Sequence, residues 1–129
     1  MTKQLPTILI VDDEPHMLRL VGFTLRTIDA TIITATSGLD ALEIIRTRPV
    51  ALGIFDVHMK DVDGLTAVAE IRQDSAHRLL PIIFLTGAGE THIEAEGRAL
   101  GVQAFFRKPF SPAQLAARVR ELLAAHPTE

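Results

Sequence analysis

Five times along the chain, a short apolar run rich in β-branched residues gives way to a segment whose apolar positions recur every three or four residues. The runs are Thr7–Val11, Thr31–Ala35, Ala51–Phe55, Pro81–Leu85 and Val102–Phe106. Being nearly continuous rather than alternating, they predict strands covered on both faces. Between them, Pro15–Thr27 carries Leu18, Val21 and Leu25; Leu39–Thr47 carries Ala41, Leu42 and Ile45; Leu65–Gln73 carries Leu65, Val68 and Ile71. Thr91–Leu100 shows a weaker face of Ile93 and Leu100. The last helix, Pro112–Ala125, has the clearest start. Ser111 can cap it, Pro112 takes the first helical position, Gln114 completes a capping box, and Phe110 and Leu115 sit where a hydrophobic staple needs them. Leu115, Val119 and Leu122 mark its buried face.

A fivefold β–α alternation with short connections predicts an α/β fold: a doubly wound parallel sheet with right-handed crossovers. The flavodoxin-like (βα)5 strand order 2-1-3-4-5 is the commonest solution at this length. In such sheets the ligand site lies beyond the carboxyl ends of the strands, near the switch in strand order. Those ends hold the candidate chemistry.

The first strand is followed by Asp12 and Asp13 and the third by Asp56. The fourth leads into Thr86, Gly87 and Ala88, the fifth into Lys108 and Pro109. Three carboxylates brought within a few ångströms repel by about 4 kcal/mol per pair at an effective dielectric of 20. They stay ionised together only beside a cation, and oxygen-only ligands in a shallow, solvent-facing site suit Mg²⁺ that keeps several waters. Lys108 adds a fixed positive charge, Thr86 a hydroxyl, and Gly87 open space. Together they can stabilise the oxygens of a transferring phosphoryl group. With no Ser, Cys or His at these ends to serve as nucleophile, a carboxylate must do so, and Asp56 is the choice.

Composition narrows the alternatives. A chain of 129 residues suits one domain, here taken as 1–129, and folding should bury roughly two-thirds of its surface. A net charge of −3 gives no footprint for nucleic acid, and direct DNA binding is not expected. The absence of cysteine excludes disulfides and thiolate metal sites. The N-terminal apolar run is too short for a signal peptide or membrane span, which points to the cytoplasm and to no membrane partner.

The segments ILIVDDEP, GIFDVHMKDVDGL, PIIFLTGAG and AFFRKPFS, and the spacing between them, make the chain resemble the receiver domain of bacterial two-component response regulators. The resemblance runs from Ile8 to about Leu123. It implies that Asp56 is the phosphoacceptor and that Asp12 and Asp13 place Mg²⁺, Asp13 as the more direct ligand. Asp56 and the backbone carbonyl of His58 would add further metal oxygens. It also implies that Thr86 closes on the phosphoryl group, that Lys108 pairs with it, and that the Lys108–Pro109 peptide is cis. Phe105 matches the aromatic switch position.

Two departures stand out. Lys60 replaces the usual proline, which predicts a more mobile loop after Asp56, and Phe105 lacks the hydroxyl of tyrosine. The His58 side chain and Ala88 flank the site at variable positions that tune phosphoryl lifetime; the His58 ring is expected to be solvated or to orient a water. The expected upstream partner is a sensor histidine kinase or a histidine phosphotransfer protein. Downstream stands an effector protein contacted through helix four, strand five and helix five, with the chain a monomer or a phosphorylation-dependent dimer.

Rival readings fit less well. An FMN-binding flavodoxin relative would need a hydroxyl- and glycine-rich phosphate loop after the first strand. A phosphatase with an aspartyl-phosphate intermediate would need Asp-x-Asp there and a cap domain. A degenerate receiver is unexpected because every residue for chemistry is present. Gly87-Ala88-Gly89 lacks the third glycine of a dinucleotide fingerprint, and the histidines show no metal-ligand spacing. Two expectations remain for output: a stand-alone receiver, towards which Met1 and the polar tail from His126 lean, or a receiver domain cut from a longer regulator.

Overall fold

The computed structural model describes residues 4–87 and 90–125; Met1, Ala88, Gly89 and the tail from His126 lie outside the described residues. The elements alternate as β1 (Thr7–Val11), α1 (Pro15–Thr24), β2 (Thr31–Ala35), α2 (Gly38–Thr47), β3 (Leu52–Asp56), α3 (Gly64–Gln73), β4 (Ile82–Thr86), α4 (Thr91–Ala99), β5 (Ala104–Arg107) and α5 (Pro112–Ala125), with a short 3₁₀ turn at Ser75–His77. The strands form one parallel sheet in the order β2-β1-β3-β4-β5. This is the flavodoxin-like order expected from the alternation. None of the helices in the described residues is long and apolar enough to cross a membrane.

Successive strand residues point to opposite faces, so two apolar layers sandwich the sheet. Leu9, Val11, Phe55, Ile82 and Phe84 face the core built with α2, α3 and α4. Ile8, Ile10, Leu52, Ile54, Ile83 and Leu85 face the core built with α1 and α5. The three inner strands are therefore buried almost throughout, as their continuous apolarity predicts. The edge strands are not. In β2 only Ala35 is buried, and in β5 only Ala104, because each has a neighbour on one side alone.

Several boundaries differ from expectation for local reasons. Pro81 has no N–H, so it cannot enter the ladder as a donor; it only accepts from Gly53 N at 2.9 Å, and β4 starts one residue later. The fifth strand starts at Ala104 because α4 ends in a Schellman turn. Val102 N donates to Gly97 O at 2.9 Å and Gly101 N to Arg98 O at 3.0 Å, with Gly101 at a left-handed φ of 81°. Helix α1 ends at Thr24 and unwinds through tighter turns, Arg26 N to Phe23 O and Ile28 N to Leu25 O. At α5, Gln114 N donates to Ser111 Oγ at 3.2 Å, and Phe110 packs on the core that holds Leu115.

Arg72, at the end of α3, ties this region together. Its guanidinium donates to the carbonyls of Leu100, His77, Leu80 and Gly101. Burial pushes its pKa down, yet at neutral pH it remains a cation that neutralises orphan carbonyls at the end of α4.

Gly97 is the tight point between α4 and the sheet. A methyl group there would lie 2.7 Å from Phe105 Cε1 and 3.3 Å from Phe84 Cε2. Overpacking of this kind costs about 1–3 kcal/mol, against a helix-propensity gain of about 1 kcal/mol from Gly to Ala. Gly97→Ala should therefore destabilise the fold by on the order of 1 kcal/mol, lowering Tm by a few degrees. A thermal melt checks this, and an unchanged or higher Tm would show that the Phe105 ring yields freely.

Candidate functional site

The carboxyl ends of β1, β3, β4 and β5 bring their polar residues to one edge. Asp12 follows β1 directly and is held there by two backbone bonds: its N–H donates to Ala35 O at 3.1 Å, and its Oδ1 accepts from Glu14 N at 2.9 Å. Asp56 is the last residue of β3, paired in register with Leu85. Thr86 ends β4 one residue further on and is buried. Lys108 is pinned by its own N–H, which donates to Thr86 O at 2.8 Å, and the Lys108–Pro109 peptide is cis.

Oxygens of Asp12, Asp13 and Asp56 all lie within 4.8 Å of one another. Lys108 Nζ faces two of the three, 3.2 Å from Asp56 Oδ2 and 3.5 Å from Asp12 Oδ2. Asp12 is 1% exposed, and among the described residues its Oδ2 has no hydrogen bond beyond the long ion-pair contact with Lys108. Burial, followed by repulsion from Asp56, raises the Asp12 pKa, although the Glu14 N–H and Lys108 oppose the rise. Burial alone would push the Lys108 ammonium down; attraction to Asp56 and Asp12 outweighs it and the pKa goes up.

An orphaned, buried carboxylate oxygen beside two further carboxylates lacks positive charge. One lysine does not supply enough. The donor set is all oxygen, so the residues fit a hard divalent cation such as Mg²⁺.

The His58 backbone N–H donates to Asp56 Oδ1 at 3.2 Å, which folds the loop back over the carboxylate. The His58 ring is largely exposed, in keeping with the solvated group expected, and its Nε2 also pairs with Glu90 Oε2. The other Glu90 oxygen accepts from Gly87 N at 2.7 Å. The space expected beside Gly87 is therefore filled by a carboxylate from the start of α4. The sequence holds no pattern that announces Glu90, since the contact depends on how two loops meet. Ala88, the other flanking residue, lies outside the described residues.

The loop carrying Lys60 in place of proline is anchored by the next residue. Asp61 accepts from Gly38 N at 3.1 Å and from Leu39 N at 3.0 Å, capping α2 from a distant part of the chain. The Leu39 bond, then that of Val62, hold its carboxyl below the usual range. Phe105 is half-buried, edge-on to Phe84 with ring centroids 6.0 Å apart and the Arg98 guanidinium 5.2 Å from its own centroid.

Comparison with known proteins gives a consistent result. The model of the response regulator receiver domain matches residues 8–120. A curated relative, the "Probable transcriptional regulator ycf27" of Porphyra purpurea, is 38% identical over 123 residues, covering 95% of this chain and 49% of that protein. The chain thus spans about half the length of the curated relatives it matches. Among solved structures, the signal receiver domain of an HD domain-containing protein from Pseudomonas fluorescens is 27% identical, with a TM-score of 0.88 over 98% of this chain and 100% of that one. The Vibrio cholerae chemotaxis protein CheY4 is 28% identical, with a TM-score of 0.85 over 93% of this chain and 100% of that one.

The strain at Asp12 can be tested without any donor. A folded pKa above the unfolded value of about 3.9 means that the ionised carboxylate destabilises the fold once pH exceeds that raised value, and not below about pH 4. Asp12→Asn keeps an acceptor for Glu14 N and removes the charge that burial and Asp56 oppose. In chelator at neutral pH it should raise Tm by a few degrees, on the order of 1 kcal/mol. The gain should vanish as pH falls towards 4. Equal melting of the two proteins across that range would mean that Asp12 carries no strain.

Proposed function

The chain belongs to the response regulator receiver domain family, and from that premise we propose that it is a phosphorylation-dependent two-component switch whose phosphoacceptor is Asp56. The observation that carries the proposal is the ion pair between Lys108 Nζ and Asp56 Oδ2 at 3.2 Å, inside a cluster of carboxylates too negative for one lysine. On this reading the 129 residues make one receiver domain, working in the cytoplasm, with no DNA contact of its own. The donor is a phosphohistidine on a sensor kinase or phosphotransfer protein, and the output is read by an effector protein.

The chemistry follows from the residues. An Asp56 carboxylate oxygen forms the new P–O bond while the donor's P–N bond breaks, its electron pair leaving with the imidazole. Lys108 keeps its proton and turns from the carboxylates to the phosphoryl oxygens. Asp12, Asp13, Asp56 and the His58 carbonyl would hold Mg²⁺, which when bound supplies positive charge against the charge of the incoming group. Thr86, at the end of β4, offers a hydroxyl to the same group. The domain is a regulatory acceptor rather than an enzyme acting on a separate substrate.

A switch also needs a way out of the site. One charge-assisted hydrogen bond from Thr86 is worth about 1.5–3 kcal/mol, whereas moving a population from 1:99 to 99:1 needs about 5.5 kcal/mol. Lys108 and Phe105 must supply the remainder. Burial of the half-exposed Phe105 ring would alter the face made by α4, β5 and α5, which we take as the surface read by the effector.

Two measurements test these assignments. Incubation with acetyl phosphate and Mg²⁺ should add one phosphoryl group by intact mass, abolished by Asp56→Asn or by EDTA; undiminished labelling of Asp56→Asn would refute the acceptor. Amide NMR with beryllofluoride should show shifts spreading from Asp56 through Thr86 to Phe105, α4 and α5, and shrinking at Phe105 in Thr86→Ala. Shifts confined to the carboxylate cluster in the wild type would remove that face from the switch.

A further inference from the structure

Glu90 does something that helix formation does not require. It stands immediately before α4, yet its side chain makes no capping bond to that helix. Instead it turns towards the sheet, where its side chain is 15% exposed. Its Oε1 accepts from Gly87 N at 2.7 Å while its Oε2 engages the His58 ring. Gly87 permits this because it has no side chain; a Cβ there would lie 2.6 Å from Glu90 Oε1. The register adds the rest. Asp56 and Leu85 form the last pair of the β3–β4 ladder, and His58 and Gly87 each follow that pair by two residues at the carboxyl edge of the sheet. The His58 N–H already serves Asp56 Oδ1. The Gly87 N–H serves Glu90.

We propose that Glu90 is a resident competitor: in the unmodified protein its carboxylate occupies the Gly87 N–H that an anion on Asp56 would otherwise take, and switching requires its displacement. The inference rests on Asp56 being the phosphoacceptor. A phosphoryl group brings about −1.5 to −2 charge and three acceptor oxygens into a region that already holds three carboxylates. A fourth carboxylate at the same donor is then opposed twice, by like charge and by competition for one N–H. Held by His58 from its other oxygen, Glu90 keeps the unmodified loop in place and raises the phosphoryl occupancy needed to move it. It is a positioning residue, acting through Gly87.

The test uses the full chain, with beryllofluoride as the probe and amide NMR as the readout, in wild type, Glu90→Gln, Glu90→Ala and Asp56→Asn. Removing one charge-assisted competitor should tighten beryllofluoride binding about tenfold in Glu90→Ala, with Glu90→Gln between it and wild type. The Gly87 amide should move in Glu90→Ala without any ligand, and in wild type on adding beryllofluoride. Equal affinity in the three Glu90 forms overturns the proposal. So does a gain matched by an equal gain in affinity for Mg²⁺ alone, which would mean that the charge acts through the metal and not through Gly87. Should Glu90→Ala fail to fold, Glu90→Gln decides by the same criteria. Binding that survives in Asp56→Asn, or is absent from all four proteins, overturns the phosphoacceptor reading beneath it instead.

Discussion

Repulsion among the carboxylates of Asp12, Asp13 and Asp56 is the constraint around which the carboxyl edge of the sheet is arranged. At an effective dielectric of 20 a pair of such charges 4 Å apart opposes folding by about 4 kcal/mol. Lys108 offsets part of this through contacts at 3.2 and 3.5 Å, while burial, and after it Asp56, still raises the pKa of Asp12. Charges can be held in such an arrangement only by a scaffold stiff enough not to relax. Three inner strands, buried almost throughout, with apolar layers on both faces, provide it.

The loops at that edge are fastened by polar contacts rather than by packing. Lys108 is tied to Thr86 through the backbone, Asp12 to Ala35 and Glu14, and His58 N to Asp56. Asp61 joins the loop after β3 to the start of α2, and Glu90 joins the loops after β3 and β4. Most of these bonds run from a backbone N–H to a carboxylate, and each is worth about 1–3 kcal/mol net, little enough to be exchanged for another. A rigid sheet carrying exchangeable loop contacts is suited to a site whose charge changes.

A route outward for the proposed switch follows from the pleat. Thr86 and Phe84 are two residues apart on β4, so they lie on the same face of the sheet, the one covered by α4. Phe84 touches Phe105 edge to face, and Gly97 leaves just enough room for both rings. Movement at the end of β4 therefore meets a packed aromatic pair before it reaches solvent, and close packing turns small shifts into discrete rearrangements. Arg98, stacked over Phe105, places a charge of α4 at the outer limit of this pair.

The sequence by itself determined the architecture, because hydrophobic periodicity reports burial directly: all five helices and all five strands were legible, and with them the strand ends bearing Asp12, Asp13, Asp56, Thr86 and Lys108. It was less informative at boundaries such as β5, where a hydrogen bond from Val102 back to Gly97 decides the start, and at the edge strands, where exposure depends on neighbours. Tertiary structure alone decided what lies between the strand ends. The capping of α2 by Asp61, the Leu100 and Gly101 carbonyls on Arg72 and the pairing of Glu90 with His58 each join residues whose partners are set by how loops meet in space. Loop contacts of this kind leave no period in the chain, because a polar side chain reads as solvated until its partner's position is known.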